Sequence, residues 1–357
     1  MKYFIIAGEA SGDLHASNLV TQIRHLDPTA EIRGMGGPLM ARAGVDCVVD
    51  YSDYSFMGLI EVVQNLGKIR RLFHTIKHEI TTWQPDKVLL VDYGGFNLKI
   101  AKFCKRLGVQ THFYILPKVW AWNEKRVVKI RDNVDFGYCI FPFEEDYFTG
   151  HGVNAQYVGN PVVEQIQNYL KENDNLVRQD YIALLPGSRN QEIKYILPIM
   201  IAYAETRKDL SFVVAMHNKK LFEGYVFPDN IRISENDTYT IVALAKAAIV
   251  TSGTANLETA LLNTPQVVCY KANAISYAIG KRLVKIKYVS PVNLILDKLV
   301  IPELLQDTFN VVHLGKEVNA LLSAETADRI RTDYSALWKT LGSSSAALNT
   351  AKQIVNK

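Results

Sequence analysis

The stretch Ile182-Ala183-Leu184-Leu185-Pro186-Gly187-Ser188-Arg189 decides the fold. Its apolar run ends in a Pro-Gly turn, which is the pattern of a buried strand that leads through a tight loop into a helix. In an open α/β sheet, ligands bind just beyond the carboxyl ends of the strands. Gly187 lets the backbone approach a ligand closely, and the planar guanidinium of Arg189 suits phosphate oxygens. The stretch therefore predicts a parallel α/β sheet with an anion-binding turn at its edge.

A second pattern of the same type runs from Ala248 to Glu258, with Ser252-Gly253-Thr254 at its turn. Either turn alone is consistent with an ordinary connection between a strand and a helix. Two of them in one half of the chain favour a site for a nucleotide diphosphate.

The composition is that of an ordinary globular protein with two cores. At 357 residues the chain is too long for one typical core and divides most naturally in two. The net charge of +4 is too small to indicate nucleic acid, and no nucleic-acid partner is expected. The four cysteines have neither CxxC nor metal-ligand spacing, so they indicate buried thiols in a reducing compartment. They are Cys47, Cys104, Cys139 and Cys269.

The amino-terminal run from Met1 to Gly8 resembles the start of a signal peptide but fits a first parallel strand better, because its apolar part is short and Asp13 follows soon after. No apolar stretch approaches the ~20 residues that span a bilayer. We therefore expect a cytoplasmic protein, although contact with a membrane surface stays open.

The loop from Gly8 to Asp13 leads into a helix that runs to about Leu26, and the spacing fits neither the dinucleotide fingerprint nor a Walker A loop. A ligand site and a simple glycine turn are equally consistent with it.

The segment from Phe56 to about Thr81 is amphipathic at a helical period. A core-facing helix with a solvated basic side is one interpretation, and a helix that lies on anionic lipid is the other. The residues predicted to face a membrane are Leu59, Val63, Leu66, Ile69, Arg70 and Arg71.

Polar and aromatic side chains follow the strands of the first half. Asp92 ends the buried run Lys87–Val91, so its carboxylate is expected in the ligand crevice as a general base. The competing role of a helix cap falls more naturally to Asn97. Trp120 and Trp122 follow a later strand beside a proline turn, and they either belong to the core or line a hydrophobic cleft.

The alternation of strands and helices pauses at Gly159-Asn160-Pro161 and restarts at Tyr181, which predicts two α/β domains, each with a doubly wound, Rossmann-like parallel sheet. We assign residues 1–161 to the first domain, 162–335 to the second domain and 336–357 to a helical tail. The active site is expected in a central cleft that the two domains face.

Five motifs in order resemble the lipid-A-disaccharide synthase family of inverting glycosyltransferases, which has the GT-B fold. The resemblance extends to about Gln306, and the motifs are Gly8–Asp13, Val119–Trp122, Leu185–Arg189, Ser252–Glu258 and Glu303–Gln306. It implies transfer of 2,3-diacylglucosamine from UDP-2,3-diacylglucosamine to the 6-hydroxyl of 2,3-diacylglucosamine 1-phosphate, with inversion, to give a β-1,6 disaccharide 1-phosphate and UDP. It further implies that no metal or other cofactor is needed, that the protein contacts the inner membrane peripherally, and that a homodimer can form. By the same resemblance the first domain, residues 1–161, binds the acceptor and the second domain, residues 162–335, binds the donor. The tail, residues 336–357, either packs back on the first domain or is exchanged in a dimer.

The resemblance also implies roles for single residues. Asp92 is the base that activates the acceptor hydroxyl. The UDP charge is met by Arg189 and by backbone N–H groups after Ser252-Gly253-Thr254, while Glu258 accepts from the ribose hydroxyls. The donor site thus comprises Gly187, Ser188, Arg189, Ser252, Gly253, Thr254, Glu258, Asn293 and Gln306, and the acceptor side comprises Glu9, Ser11, Asp13, Trp120 and Trp122.

Two positions depart from the family pattern. Gly95 stands where the family has a second acid after Asp92, so the loop leaves Asp92 without a neighbouring carboxylate. Lys118 replaces a serine before the tryptophans and brings a cation to them. The acyl-chain preference that follows cannot be predicted from sequence.

Three other functions remain consistent with the residues. A UDP-sugar 2-epimerase has a similar two-domain fold but needs more carboxylates than the Asp92 loop offers. A non-catalytic module that binds a sugar nucleotide or a lipid would keep Arg189 and Glu258 without needing Asp92. A transferase that acts on a polyprenyl diphosphate is closer in mechanism, but its motifs match less well.

Overall fold

The computed structural model describes residues 1–54, 65–216, 218–235, 237–273, 277 and 286–357. The chain forms two compact units, of which unit 1 is Met1–Pro161 with Ser344–Lys357 and unit 2 is Val162–Ser343. Each unit contains one parallel sheet with helices, so the predicted class of two doubly wound α/β domains is confirmed.

The sheet of unit 1 has seven strands in the order β3-β2-β1-β4-β5-β6-β7, and neighbouring strands pair in parallel. The central strands are continuous apolar runs because helices cover both faces of such a sheet. The order reverses between β1 and β4, so a ligand crevice is expected where these two strands end. The strands are β1 Lys2–Ala7, β2 Glu31–Gly36, β3 Asp46–Asp50, β4 Lys87–Val91, β5 Gln110–Tyr114, β6 Phe136–Cys139 and β7 Ala155–Tyr157.

The helices of unit 1 are amphipathic or begin at sequence signals such as proline. Pro38 and Pro142 each occupy the first turn of a helix, where the missing N–H costs nothing. The helices are α1 Ala10–Leu26, α2 Pro38–Arg42, α3 Leu66–Trp83, α4 Gly94–Leu107, α5 Val119–Trp122, α6 Val127–Asn133 and α7 Pro142–Gly150.

The sheet of unit 2 has six strands in the order β10-β9-β8-β11-β12-β13, and neighbouring strands again pair in parallel. Its strand order reverses between β8 and β11, which are the two strands that precede the glycine turns. The strands are β8 Ile182–Leu185, β9 Phe212–Ala215, β10 Ile231–Ser234, β11 Ala247–Thr251, β12 Gln266–Tyr270 and β13 Glu303–Leu305. The helices that follow α7 in the chain are α8 Pro161–Glu172, α9 Asn190–Thr206, α10 Thr238–Leu244, α11 Thr254–Leu261, α12 Pro291–Leu296, α13 Val311–Leu321 and α14 Ala324–Leu341.

The chain returns to unit 1 through the last helix, α15, Ala346–Asn356. Its buried side chains Ala346, Ala351 and Ile354 join the core formed by β1 and α1. The predicted start of the tail at residue 336 is wrong, because that position lies inside α14, which continues to Leu341 and belongs to unit 2. The change of unit follows Gly342, whose φ of 69° ends the helix.

Three of the four cysteines are buried in the two cores, and Cys47 is half-buried. Burial raises the pKa of the Cys47 thiol to about 11. All four are free thiols, and the expectation of buried thiols is confirmed for Cys104, Cys139 and Cys269. Among the described helices, none combines the length and apolarity that a membrane span requires.

Candidate functional site

Unit 2 holds a cavity of about 470 Å³, here called the donor cavity, at the carboxyl ends of β8 and β11. The two glycine turns form most of its wall, and the strand order reverses at this point. The described lining residues are Leu185, Pro186, Gly187, Ser188, Arg189, Glu192, Ala215, Asp237, Thr238, Tyr239, Thr251, Ser252, Gly253, Thr254, Ala255 and Glu258. Seven residues predicted at a donor site are therefore brought together.

The turn after β8 is held by a carboxylate from the next helix. Glu192 Oε2 accepts hydrogen bonds from the backbone N–H groups of Ser188 at 3.0 Å and Arg189 at 3.2 Å. Gly187 has a φ of 113°, and a Cβ there would lie 2.5 Å from Glu192 Oε2. Glycine is required at this position because both the backbone conformation and the space exclude a side chain. The Arg189 side chain is 63% exposed and lies 3.6 Å from Glu192 Oε1, so its guanidinium can turn toward an anion in the cavity.

The turn after β11 presents an open helix start. Gly253 has a φ of 151° and immediately precedes α11, and nothing lies within 4 Å of the position that a Cβ would occupy. The first N–H groups of a helix have no intrahelical acceptor, and the helix dipole is positive at this end. The turn can therefore hold an anion against the N–H groups of Thr254 and Ala255.

Glu258 lies in the donor cavity one turn into α11. The Tyr239 hydroxyl lies 3.2 Å from Glu258 Oε1 and 3.2 Å from Gln165 Oε1, so it links the carboxylate to α8. Burial raises the pKa of Glu258, while the hydrogen bond from Tyr239 opposes the shift. The fixed carboxylate suits an acceptor role toward hydroxyl groups.

Sequence reasoning missed Asp237, Thr238 and Tyr239, which line the donor cavity at the start of α10. The available signal was their position shortly after β10, because residues that follow a parallel strand lie at the ligand edge of the sheet.

Two residues predicted to line the donor site are not among the described lining residues. Asn293 is fully buried, and its amide bonds to the backbone of Val300 and Ile301 and to the Glu303 carboxylate. Gln306 exchanges two hydrogen bonds with the backbone of Ala272. Both side chains are engaged in fixing loops, so the prediction that they line the site is not supported.

Asp92 follows β4 at the point where the strand order of unit 1 reverses. Asp92 and Tyr93 have φ values of 46° and 49°, which is a strained conformation for residues that carry side chains. Asn97 stabilises it, since its amide donates to the Asp92 carbonyl at 2.8 Å. Gly8 makes room for the Tyr93 ring, because a Cβ there would lie 2.3 Å from it.

The carboxylate of Asp92 has charged neighbours of both signs. Burial and then the negative charge of Glu9 raise the pKa of Asp92, and the Lys118 ammonium partly opposes them. The expectation that Asp92 lacks a neighbouring carboxylate is therefore wrong, because β1 pairs with β4 and brings Glu9 to the same edge. Ser11 is exposed and donates to Glu9 Oε1 at 3.2 Å. A carboxylate with a raised pKa is a better proton acceptor.

Asp13 was predicted on the acceptor side, but its side chain stabilises the fold. It is 1% exposed, and its carboxylate accepts from the backbone N–H groups of Gly37 at 2.8 Å, Leu39 at 3.0 Å and Met40 at 3.1 Å. These are the groups at the start of α2, so Asp13 caps that helix.

The two tryptophans have different environments. Trp120 is half-buried, and its indole N–H donates to Oε1 of the fully buried Glu144 at 2.9 Å. Trp122 is 45% exposed, and the Arg126 guanidinium lies 4.6 Å from its ring centroid. Trp122 is therefore available to a ligand, whereas Trp120 is held in place.

The residues that were predicted to face a membrane differ in how far they are exposed on helix α3. Leu59 and Val63 lie outside the described residues. Leu66 is 58% exposed, Arg70 and Arg71 are exposed, and Ile69 is half-buried. The opposite face, with Leu72, Ile76 and Ile80, is buried in the core of unit 1. The interpretation as a core-facing helix is therefore confirmed for this buried face, and contact of the exposed face with a membrane stays a prediction.

The family model described as lipid-A-disaccharide synthetase matches residues 3–357. The chain belongs to this family. Among its relatives, the lipid-A-disaccharide synthase of Syntrophus aciditrophicus strain SB is 37% identical, with 97% of this chain and 95% of that protein covered. Membership therefore extends over both units, and the resemblance seen in the motifs is confirmed.

Solved structures with the same fold include two kinds of enzyme. The UDP-GlcNAc 2-epimerase of Methanocaldococcus jannaschii, solved with UDP-GlcNAc and UDP, has a TM-score of 0.65 at 14% identity, with all of both chains covered. The glycotransferase of kitacinnamycin has a TM-score of 0.65 at 11% identity, with 99% of this chain and 98% of that chain covered. At such identities the likeness concerns the fold, which is the GT-B fold of the family.

Proposed function

We propose that this family member transfers 2,3-diacylglucosamine from UDP-2,3-diacylglucosamine to the 6-hydroxyl of 2,3-diacylglucosamine 1-phosphate. The products are the β-1,6 disaccharide 1-phosphate and UDP. Family membership over residues 3–357 carries this proposal. The glycine turns around the donor cavity and the carboxylate of Asp92 supply the two groups that such a transfer needs.

The donor's diphosphate is assigned to the donor cavity. Arg189 contributes a guanidinium, and the turn at Gly253 contributes N–H groups at the start of α11. Glu192 already occupies the N–H groups of Ser188 and Arg189, so these two donors become available only when its carboxylate moves. Glu258 accepts hydrogen bonds from the ribose. The proposal needs no metal, because these groups meet the charge of the leaving UDP.

Asp92 is assigned the role of general base. Its carboxylate takes the proton from the acceptor's 6-hydroxyl as that oxygen bonds to the anomeric carbon of the donor. The bond from this carbon to the phosphate oxygen breaks, and UDP leaves with its electron pair. One displacement inverts the configuration, and the raised pKa of Asp92 makes the carboxylate a stronger base.

Peripheral contact with the inner membrane is assigned to the exposed face of α3. Leu66 and Ile69 supply apolar surface, and Arg70 and Arg71 supply positive charge toward anionic lipid. Both substrates carry acyl chains, so a position at the lipid surface brings the protein to them.

The decisive experiment incubates the purified protein with both lipid substrates and analyses the products by mass spectrometry. We expect the disaccharide 1-phosphate together with UDP, and neither product when the acceptor is omitted. Incubation with UDP-GlcNAc alone tests epimerisation, for which we expect no change of the sugar. Formation of the 2-epimer without any disaccharide would overturn the proposed function.

A further inference from the structure

Unit 1 contains a cavity of about 300 Å³, here called the cationic cavity. Its described lining residues are Arg70, Phe73, His74, Lys77 and Lys99. The first four lie on α3, and Lys99 lies on α4, which begins directly after Tyr93. Four basic side chains and one aromatic ring therefore face the same space.

The basic groups of the cationic cavity have no acidic partner among the described residues. Within the described part of the chain, none of Arg70, His74, Lys77 and Lys99 forms an ion pair with a carboxylate. Instead, the Lys99 ammonium lies 5.2 Å from the ring centroid of Phe73, and the Lys77 ammonium lies 5.2 Å from that of Phe103. Like charges that converge without counter-charges repel each other, so an anion in the cavity would be stabilised by all of them.

Two successive ring contacts connect the cationic cavity to Tyr93, the neighbour of Asp92 in sequence. Phe73, the aromatic wall of the cavity, stacks on Phe96 with a centroid spacing of 4.2 Å. Phe96 in turn lies 5.6 Å from the ring of Tyr93. The wall of the cavity is thus packed against the loop that carries the proposed base.

We propose that the cationic cavity binds the anomeric phosphate of the acceptor while its 6-hydroxyl reaches Asp92. The proposal rests on the proposed function and adds the group that recognises the phosphate. A phosphomonoester is close to a dianion at neutral pH. Arginine and lysine donors form charge-assisted hydrogen bonds to its oxygens, and the apolar wall at Phe73 accommodates the adjoining ring.

A phosphodiester of the membrane is the competing source of phosphate. The ring contacts to Tyr93 favour the acceptor, because its 6-hydroxyl must reach the adjacent Asp92, whereas a membrane lipid has no group that must do so. An assay in neutral detergent micelles distinguishes the two sources, because the acceptor's phosphate is present there and membrane lipid phosphate is not.

The test compares Lys77→Gln/Lys99→Gln with the control Lys102→Gln/Lys129→Gln. The control removes the same charge from exposed positions of unit 1 that do not line the cationic cavity. Each protein is assayed in neutral micelles with the 1-phosphate acceptor and with its dephosphorylated analogue. We expect the cavity variant to lose about tenfold to hundredfold in kcat/KM for the phosphorylated acceptor, and less than about threefold for the analogue.

A second measurement needs no turnover. Binding of the 1-phosphate acceptor in neutral micelles is followed by ³¹P NMR, and we expect the wild type and the control to shift the phosphate signal while the cavity variant does not. An equal loss for both acceptors, or a loss that occurs only on anionic vesicles, would overturn the assignment. If the wild type binds the phosphate but forms no disaccharide, the proposed function fails and the cavity assignment stands.

Discussion

Glu9 and Asp92 follow two paired strands, β1 and β4, and their carboxylates interact at the edge of the unit 1 sheet. Burial is the larger cause of the raised pKa of Asp92, and the charge of Glu9 adds to it. Lys118 acts in the opposite direction. The affinity of Asp92 for a proton is therefore set by residues that are far apart in sequence.

Replacement of Glu9 by Gln should move the acid limb of kcat/KM to lower pH. Asp92 must be ionised to accept a proton, so activity falls as pH falls through its folded-state pKa. Without the negative charge of Glu9 that pKa decreases, and the base form persists at lower pH. The measurement is a pH profile, and the exposed Glu31→Gln is the control. An unchanged acid limb in the Glu9 variant would show that Glu9 does not raise the pKa of the general base.

Replacement of Asp92 by Asn should abolish transfer but preserve the fold and the affinity for UDP. The amide keeps the shape of the side chain but cannot take the proton, and loss of a general base costs about 10²–10⁴-fold. Turnover is measured by mass spectrometry, and UDP affinity is measured by calorimetry. The control Asp132→Asn changes an exposed carboxylate of unit 1 that forms an ion pair with Arg131. Wild-type turnover by the Asp92 variant would exclude Asp92 as the general base.

Sequence patterns predicted the residues that lie directly after strands. The turns at Gly187 and Gly253 were found because each follows a buried run, and parallel strands place their carboxyl ends at one edge. Asp92 was found for the same reason. Its interaction with Glu9 could not be found in this way, because it depends on which strand pairs with β4.

From sequence alone, polar residues that stabilise the fold are hard to distinguish from polar residues that bind a ligand. Asp13 and Asn293 carry the polar groups that a ligand would use, but these groups accept hydrogen bonds from backbone N–H groups of other segments. Those partners are brought close only by tertiary structure. Tyr239 follows a short strand, which is a weak signal by itself, and its contact with Glu258 depends on a residue of another helix.

Substitutions of Glu258 and Asn293 should separate a ligand-binding role from a structural one. Glu258→Gln should weaken UDP binding by about tenfold, because the ribose loses a charged acceptor, while stability stays close to that of the wild type. Asn293→Ala should lower the free energy of unfolding by about 2–4 kcal/mol, because buried backbone groups lose their partners. UDP affinity is measured by calorimetry, and stability is measured by denaturant unfolding.

Each of these variants serves as the control for the other. Folded Asn293→Ala protein should bind UDP with an affinity within about threefold of the wild type, since this side chain is not among the described residues of the donor cavity. A selective loss of UDP affinity in that variant would instead return Asn293 to the site.

The double substitution Leu66→Ser/Ile69→Ser should reduce recovery on anionic vesicles without unfolding the protein. Leu66 is 58% exposed and Ile69 is half-buried on the open side of α3, so serine there removes apolar surface without opening the core. Burial of such side chains in lipid is worth about 1.5–3 kcal/mol each, so partitioning should fall by roughly tenfold or more. Vesicle sedimentation and a thermal melt provide the two measurements. The control Leu72→Ser places a hydroxyl in the core of unit 1 and should lower the melting temperature instead. If the double variant is as unstable as Leu72→Ser, its face of α3 supports the fold and the membrane assignment fails.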